Sequence, residues 1–385
     1  MDITNTRADF PALENHTYLN TAGIGLTPQP VTAEIQRLFG AWGAQGATTP
    51  TFRQELQPLA ATARERAAKL FGADADELAF TGRVAESLHI VVDGLPWQPG
   101  DEVIVSDEEV LYMPIYRLAK DYGVVVIKMR LDHRREDLLN RFDDLLTPRT
   151  RLVWLSDTTN KSGVHIPARE ICALAHARGA LVMFDGAQTA GQFPVNLHEM
   201  GCDFYAITGY KWLLGPYGCG LCYIRRDRIP RVRALRVGHG AIDHASCDYA
   251  EAEGAMRYDF GVRNLILRAG LNESLEYLGG IGFEAISARV AALRRYLIEG
   301  LREIPGVHIG SPHDPAMGSG IVCVALEGVE PAEMVASAWE AGIVIVPLET
   351  AQGRSDLRGV RVSPGFYNTQ EDLDRLLEVL AGLAR

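Results

Sequence analysis

The chain reads as an α/β protein, a doubly wound domain around a mostly parallel sheet of seven strands followed by a smaller α+β domain. Three observations predict it. Short apolar runs alternate with helical patterns between residues 77 and 224. Those runs are apolar throughout, as strands buried on both faces require. After Asn264 the pattern changes to long helical segments, and at 385 residues the chain exceeds the length at which one core stops growing.

In chain order, the strands are expected at Glu77–Phe80, Glu102–Ser106, Val124–Met129, Arg151–Leu155, Ala180–Phe184, Asp203–Ile207 and Cys219–Ile224. The helical patterns between and before them cover 28–42, 54–71, 84–93, 113–121, 136–145 and 167–178, the last opened by Pro167 in its first turn. Helical patterns over 262–304, a strand within Ser319–Leu326 and a helix over 369–383 complete the chain. We place the domain boundary at 265/266, giving a large domain of 18–265 and a small one of 266–385, with residues 1–17 packing on the latter. No repeat or low-complexity tract interrupts this plan.

Composition narrows the partners. A formal charge of −11 and the lack of a basic cluster argue against a nucleic-acid surface. No apolar run approaches a membrane span of about 20 residues, and Met1–Phe10 lacks an apolar signal core. A cytoplasmic protein with no nucleic-acid or membrane partner is expected. The six cysteines, at 172, 202, 219, 222, 247 and 323, are scattered and read as reduced, mostly buried thiols. Cys219 and Cys222 form a C-x-x-C, but an extended strand points them to opposite faces, and no second pair completes a zinc site. The histidines show no metal-ligand spacing, so no metal is expected.

The chemistry lies at two strand ends. The apolar run Ala180–Phe184 delivers Asp185 at its carboxyl end, and the run Asp203–Ile207 leads into Thr208-Gly-Tyr-Lys211 at the same edge. Ligands bind at that edge of open α/β sheets. An amine beside a carboxylate there suits pyridoxal 5′-phosphate, which needs a lysine for its aldehyde and an acid to keep its ring nitrogen protonated. A lysine desolvated beside a cationic ring gives up its proton readily and becomes a nucleophile and base.

The segments Tyr18-Leu-Asn-Thr-Ala22, Thr159-Asn-Lys-Ser-Gly163, Asp185-Gly-Ala-Gln188, Thr208-Gly-Tyr-Lys211 and Arg361-Val-Ser363 with Tyr367-Asn-Thr369 resemble the class V aminotransferase family, in the family's order and over nearly the whole chain. That family has the fold-type I pyridoxal phosphate architecture and includes cysteine desulfurases, selenocysteine lyases, kynureninases and isopenicillin N epimerase-like proteins. The resemblance implies Lys211 as the cofactor's covalent anchor and proton carrier, and Asp185 at the pyridinium nitrogen. It further implies Asn160 and Gln188 at the phenolic oxygen, Ala187 under one ring face, and Thr208 and Tyr210 at the phosphate. Arg361, with Asn20 and Ala22 nearby, would hold the substrate carboxylate, for which a planar guanidinium offers two parallel charge-assisted bonds. An amino-acid substrate and a homodimer with shared active sites follow from the same likeness.

The departures bear on the reaction. The phosphate-binding helix opens with Val84 and Ala85 instead of hydroxyl residues, so its backbone amides and Arg83 are the candidates there. The partner-subunit segment reads Gly261-Val-Arg-Asn264, which offers Arg263 to a phosphate across a dimer interface. The ring-cover position falls at Val110, with Tyr112 close by. The segment Val346–Ser355, where the desulfurases carry their catalytic cysteine, has none. A persulfide relay needs that thiolate. The expectation is therefore β-elimination from a cysteine-like or other β-substituted amino acid, with transamination and epimerisation as alternatives. Two other classes were weighed: an acyl-enzyme built on Thr208-Gly-Tyr-Lys211, which lacks its companion motifs, and a non-catalytic scaffold, against which the intact Lys211, Asp185 and Arg361 argue.

Overall fold

The computed structural model describes residues 3–109, 113–238, 252–260, 264–348 and 358–384. Seven strands form one sheet: β2 (Leu78–Thr81), β3 (Glu102–Ser106), β4 (Val125–Met129), β5 (Thr150–Ser156), β6 (Leu181–Asp185), β7 (Phe204–Thr208) and β8 (Gly220–Ile224), in the order β2-β8-β7-β6-β5-β3-β4. β8 runs antiparallel to both neighbours, and the five strands from β7 to β4 are parallel. β1 (Thr17–Tyr18) pairs separately with β11 (Ile343–Val344).

The apolar character of these strands has a direct cause. Ile104, Val153 and Val182 enter a core cluster on one face of the sheet, while Val103, Val105, Leu152, Trp154 and Met183 enter a second cluster on the other. Helices cover both faces, so neither side of a strand is left for polar residues. The exception is the edge strand β4, where Val125 is 48% exposed and Lys128 interrupts the run.

Ahead of and between the strands lie α1 (Ile3–Ala8), α2 (Gln29–Gln45), α3 (Pro50–Phe71), α4 (Val84–Gly94), α5 (Met113–Tyr122), α6 (Arg135–Leu145), α7 (Ala168–Ala177) and α8 (Leu197–Met200). The pattern expected over 262–304 resolves into α9 (Leu265–Ile281) and α10 (Phe283–Arg302), split at Gly282, whose φ of +90° takes the chain out of the helix. Asn264 caps α9 by accepting from the amides of Ile266 and Leu267. A four-stranded antiparallel sheet then assembles from β9 (Val307–Ile309), β10 (Val322–Leu326), β12 (Val346–Leu348) and β13 (Gly359–Val362), in the order β12-β13-β10-β9. α10, α11 (Pro331–Glu340) and α12 (Gln370–Leu383) pack on it through Leu293, Leu297, Met334, Leu373 and Leu376.

The N-terminal segment lies against this C-terminal part. Arg7 bonds Asp372 at 2.7 Å and the carbonyl of Tyr367 at 2.8 Å, and Phe10 packs on the rings of Phe366 and Tyr367. The chain then runs toward the large sheet, with Asn20 bridging to Ser363 just after β13 of the small one. This crossing brings Asn20, Ala22 and Arg361 to the edge where β6 and β7 end. The five described cysteines are free and buried, and none of the described helices is long and apolar enough to cross a membrane.

Candidate active site

Lys211 is presented by a turn with no slack. After β7 the chain passes through Gly209, whose amide bonds the carbonyl of Cys219 at 2.8 Å and whose carbonyl accepts from Gly215 at 2.8 Å. Leu214 closes the turn at φ +56°, a left-handed conformation that costs a branched residue about 1 kcal/mol or more and persists where its surroundings over-determine it. Those surroundings include Gly25: a Cβ there would sit 2.0 Å from the carbonyl of Lys211, so the N-terminal segment touches the lysine backbone directly. Trp212, next in the chain, is buried and donates to Oε1 of Gln188 at 2.8 Å.

Lys211 and Asp185 line one cavity of about 200 Å³ together with Arg83, Val84, Ala85, Ser156, Asn160, Ala187, Gln188, Thr208 and Tyr210. Burial lowers the pKa of the Lys211 amine, against the opposing charge of Asp185 and with help from Arg361. Burial also raises the carboxyl of Asp185, against the pull of Lys211 and an amide bond from Ala187 at 2.8 Å, with Asp157 adding to the rise. Each charge is therefore held where it is expensive.

The remaining expected residues fall into two groups. Asn160 and Arg361 have unspent capacity. Arg361, 8% exposed, donates to the carbonyl of Asn160 at 3.0 Å and to Oδ1 of Asn20 at 3.2 Å, while its Nε and the buried Oδ1 of Asn160 lack partners. No carboxylate pairs with Arg361 among the described residues, and burial lowers its pKa to about 10 with only Tyr18 opposing. A buried guanidinium without a counter-ion is costly unless an anion completes it. Gln188 and Ala22, in contrast, bond each other: Nε2 of Gln188 donates to the carbonyl of Ala22 at 2.9 Å, so both ends of that amide are engaged and one Nε2 hydrogen is left.

The start of α4 leaves the amides of Val84 and Ala85 without intrahelical acceptors at the cavity wall, an anion site by geometry and dipole. Arg83 also lines the cavity and moderates the upward push that burial exerts on Tyr210, whose ring stacks on Tyr217 at 4.7 Å. Val110, Tyr112 and Arg263 lie outside the described residues, as does most of the Val346–Ser355 segment. Two groups were missed in the sequence: Ser156, on the cavity wall, and Glu109, buried behind it and hydrogen-bonded to it. An acid that follows a strand in the run Asp107-Glu-Glu109 reads as a solvated turn; only its burial, 2% exposed, distinguishes it.

Comparison with known proteins agrees with this geometry. The Aminotransferase class-V family model matches residues 17–376. A probable cysteine desulfurase of Methanothermobacter thermautotrophicus is 30% identical, over 100% of this chain and 98% of its own. Isopenicillin N epimerase of Streptomyces clavuligerus is 29% identical, over 95% and 94%. Among solved structures, the cystine C–S lyase C-DES in complex with cysteine persulfide, its reaction product, superposes with a TM-score of 0.90 at 27% identity, covering 97% of this chain and 99% of that one. The residues on the cavity wall fit the family's cofactor: a desolvated amine, a half-buried acid, an unpartnered Asn160 Oδ1 and helix-start amides without intrahelical acceptors. The chain belongs to the class V aminotransferase family and is a pyridoxal phosphate-dependent enzyme acting at Cα and Cβ of an amino acid.

Proposed function

We propose that this enzyme removes the β-substituent of a cysteine-like or other β-substituted amino acid. The substrate loses HX across Cα and Cβ, and water converts the resulting enamine to a 2-oxo acid and ammonia. When bound, the cofactor supplies an electron-withdrawing ring that accepts charge released at Cα. Lys211 holds its aldehyde and, through its lowered pKa, takes the Cα proton. Asp185 keeps the ring nitrogen protonated, while Asn160 and Gln188 meet the phenolic oxygen and Ala187 packs below. Val84, Ala85, Thr208, Tyr210 and Arg83 receive the phosphate. Arg361, fixed by Asn20 and the Asn160 carbonyl, grips the substrate carboxylate and sets which Cα bond faces Lys211.

The observation that carries this reading is the buried Arg361, which has no carboxylate partner among the described residues, bonds the carbonyl of the cavity residue Asn160 and acts on the Lys211 amine, beside a cavity that no described cysteine lines. With no thiol in Val346–Ser355 either, a persulfide relay on the protein is disfavoured while elimination is not. The lyase structure supports it as a relative that acts on a C–S bond. Epimerisation remains the second reading, favoured by the likeness to isopenicillin N epimerase. We further assign a cytoplasmic homodimer with Arg263 reaching the partner's phosphate site, Val110 or Tyr112 over the ring, and domains divided at 265/266.

A panel of amino acids and S-substituted cysteines tests the assignment. Pyruvate and ammonia with the cofactor's aldehyde form retained support elimination. Conversion of the cofactor to its amine form would replace it with transamination, and loss of optical rotation alone with epimerisation.

A further inference from the structure

Glu108 and Glu109 follow β3 at the carboxyl edge of the sheet, and both are buried, at 1% and 2% exposure. Each reaches back to a segment that builds the cavity. Glu108 accepts from the amide of Ser162 at 3.1 Å and its hydroxyl at 2.8 Å, which ties down the turn carrying Asn160. Glu109 accepts from the amide of Ser156 at 2.5 Å, the hydroxyl of Ser156 at 2.9 Å and that of Ser106 at 3.1 Å. Ser156 ends β5, pairs in register with Asp185 on β6, and lines the cavity beside it.

We propose that Glu109 is a positioning residue that, from behind the cavity wall, fixes Ser156 beside Asp185. This rests on the reading of the cavity as a pyridoxal phosphate site. No arginine or lysine pairs with Glu109 among the described residues, and its partners are neutral donors. Among the described residues, Asp185 is the charge that acts on Glu109; Asp157 after β5 and Lys211 after β7 act in turn on Asp185, Arg361 acts on the lysine, and the buried Glu108 precedes Glu109 in the chain. A carboxyl buried behind the wall and a carboxylate on it do not both ionise cheaply. Burial, then the charge of Asp185, push Glu109 up to about 8, against its hydrogen bonds from Ser156 and Ser106.

The test uses the wild-type holoenzyme and its Glu109→Gln, Glu109→Ala and Ser156→Ala variants. The readouts are the dissociation constant for pyridoxal phosphate and the pH titration of the bound cofactor's absorbance. Wild type and Ser156→Ala should show an inflection near the value of about 8 that Glu109→Gln lacks. At about pH 7 the Gln variant, which copies the neutral acid, should bind the cofactor within about threefold of wild type, while Glu109→Ala, which strands two donors of Ser156, should bind about tenfold more weakly. An unchanged inflection in Glu109→Gln, or an affinity as poor as that of Glu109→Ala, would overturn the proposal. A wild type that forms no coloured complex would instead defeat the reading of the cavity.

Discussion

Asp203, fully buried just before β7, and Asp185, half-buried at the end of β6, lie at opposite edges of one sheet. Asp203, just before β7, accepts from Nε2 of His176 at 2.8 Å, Nε of Arg228 at 2.7 Å and the amide of Val182 at 2.7 Å, and forms an ion pair with Nη2 of Arg225 at 2.9 Å. Burial alone would raise its pKa, but these bonds win and hold the carboxyl below its usual range. Asp185, at the end of β6, has one side-chain bond among the described residues, from the Ala187 amide, and burial raises it. The amino edge compensates its buried charge within the protein, while the carboxyl edge leaves compensation to a ligand. Arg64 and Arg361 repeat the contrast: Arg64 meets Asp259 at 2.9 Å, and Arg361 meets no carboxylate among the described residues.

The sharpest way to break this comparison is to remove the amine at the carboxyl edge. Lys211→Ala should lower turnover of any amino-acid substrate by at least about 10⁴-fold, because anchor and proton carrier go together. Borohydride reduction of the wild type, followed by peptide mapping, should place the cofactor on Lys211; an adduct on another lysine would move the site.

The two aspartates come next, and they should respond in opposite senses. Asp203→Asn leaves Arg225 and Arg228 short of a partner and should cost about 3–5 kcal/mol of stability, read from denaturant midpoints, with kcat per folded molecule unchanged. Asp185→Asn should leave the cofactor-free protein as stable as wild type or more so, and abolish turnover. If both variants behaved alike in stability, the distinction between the edges would not hold.

Much of this edge was legible in the residues, for physical reasons that also mark the limit. Strands β2, β3 and β5 to β8 are covered on both faces, so burial writes itself as continuous apolar runs, and the acid and amine at the ends of β6 and β7 stand out against them. β1, β9 and β11–β13 have two to four residues each and show no period to read. Glu109 was illegible for another reason. Its partners Ser156 and Ser106 lie 47 and 3 residues away, and only the juxtaposition of β3 with β5 turns a polar run into a buried wall. Likewise Arg361 could be named from its motif, but its missing counter-ion is a property of three dimensions.

Arg361 gives a smaller effect on the ligand side of the comparison. Arg361→Gln removes a charge that the protein does not neutralise, so it should not destabilise the fold, yet KM should rise about 100-fold, worth about 2.7 kcal/mol, for substrates bearing an α-carboxylate. A substrate analogue carrying an α-carboxamide should lose most of that discrimination. Equal losses with both ligands would mean that Arg361 shapes the cavity and does not recognise the carboxylate.

The effect that unfolds with pH is the most diagnostic of an edge left uncompensated. Glu109 is raised from 4.5 to about 8 in the fold, so between these values the folded chain keeps a proton that the unfolded chain has released. Its contribution to stability is therefore fully present below the unfolded value and is lost as pH rises toward about 8, by about 1.4 kcal/mol per pH unit, after which it levels off. Glu109→Gln has no such proton. The stability of the variant relative to wild type, measured by urea unfolding of the cofactor-free proteins, should climb across that window and then plateau. Asp203→Asn should show the mirror image, its deficit shrinking as acid protonates the wild-type carboxyl, because a lowered carboxyl loses its contribution as pH falls. A stability difference for Glu109→Gln that stays flat with pH would mean that this acid ionises freely behind Ser156, and that the carboxyl edge tolerates two charges where the comparison allows one.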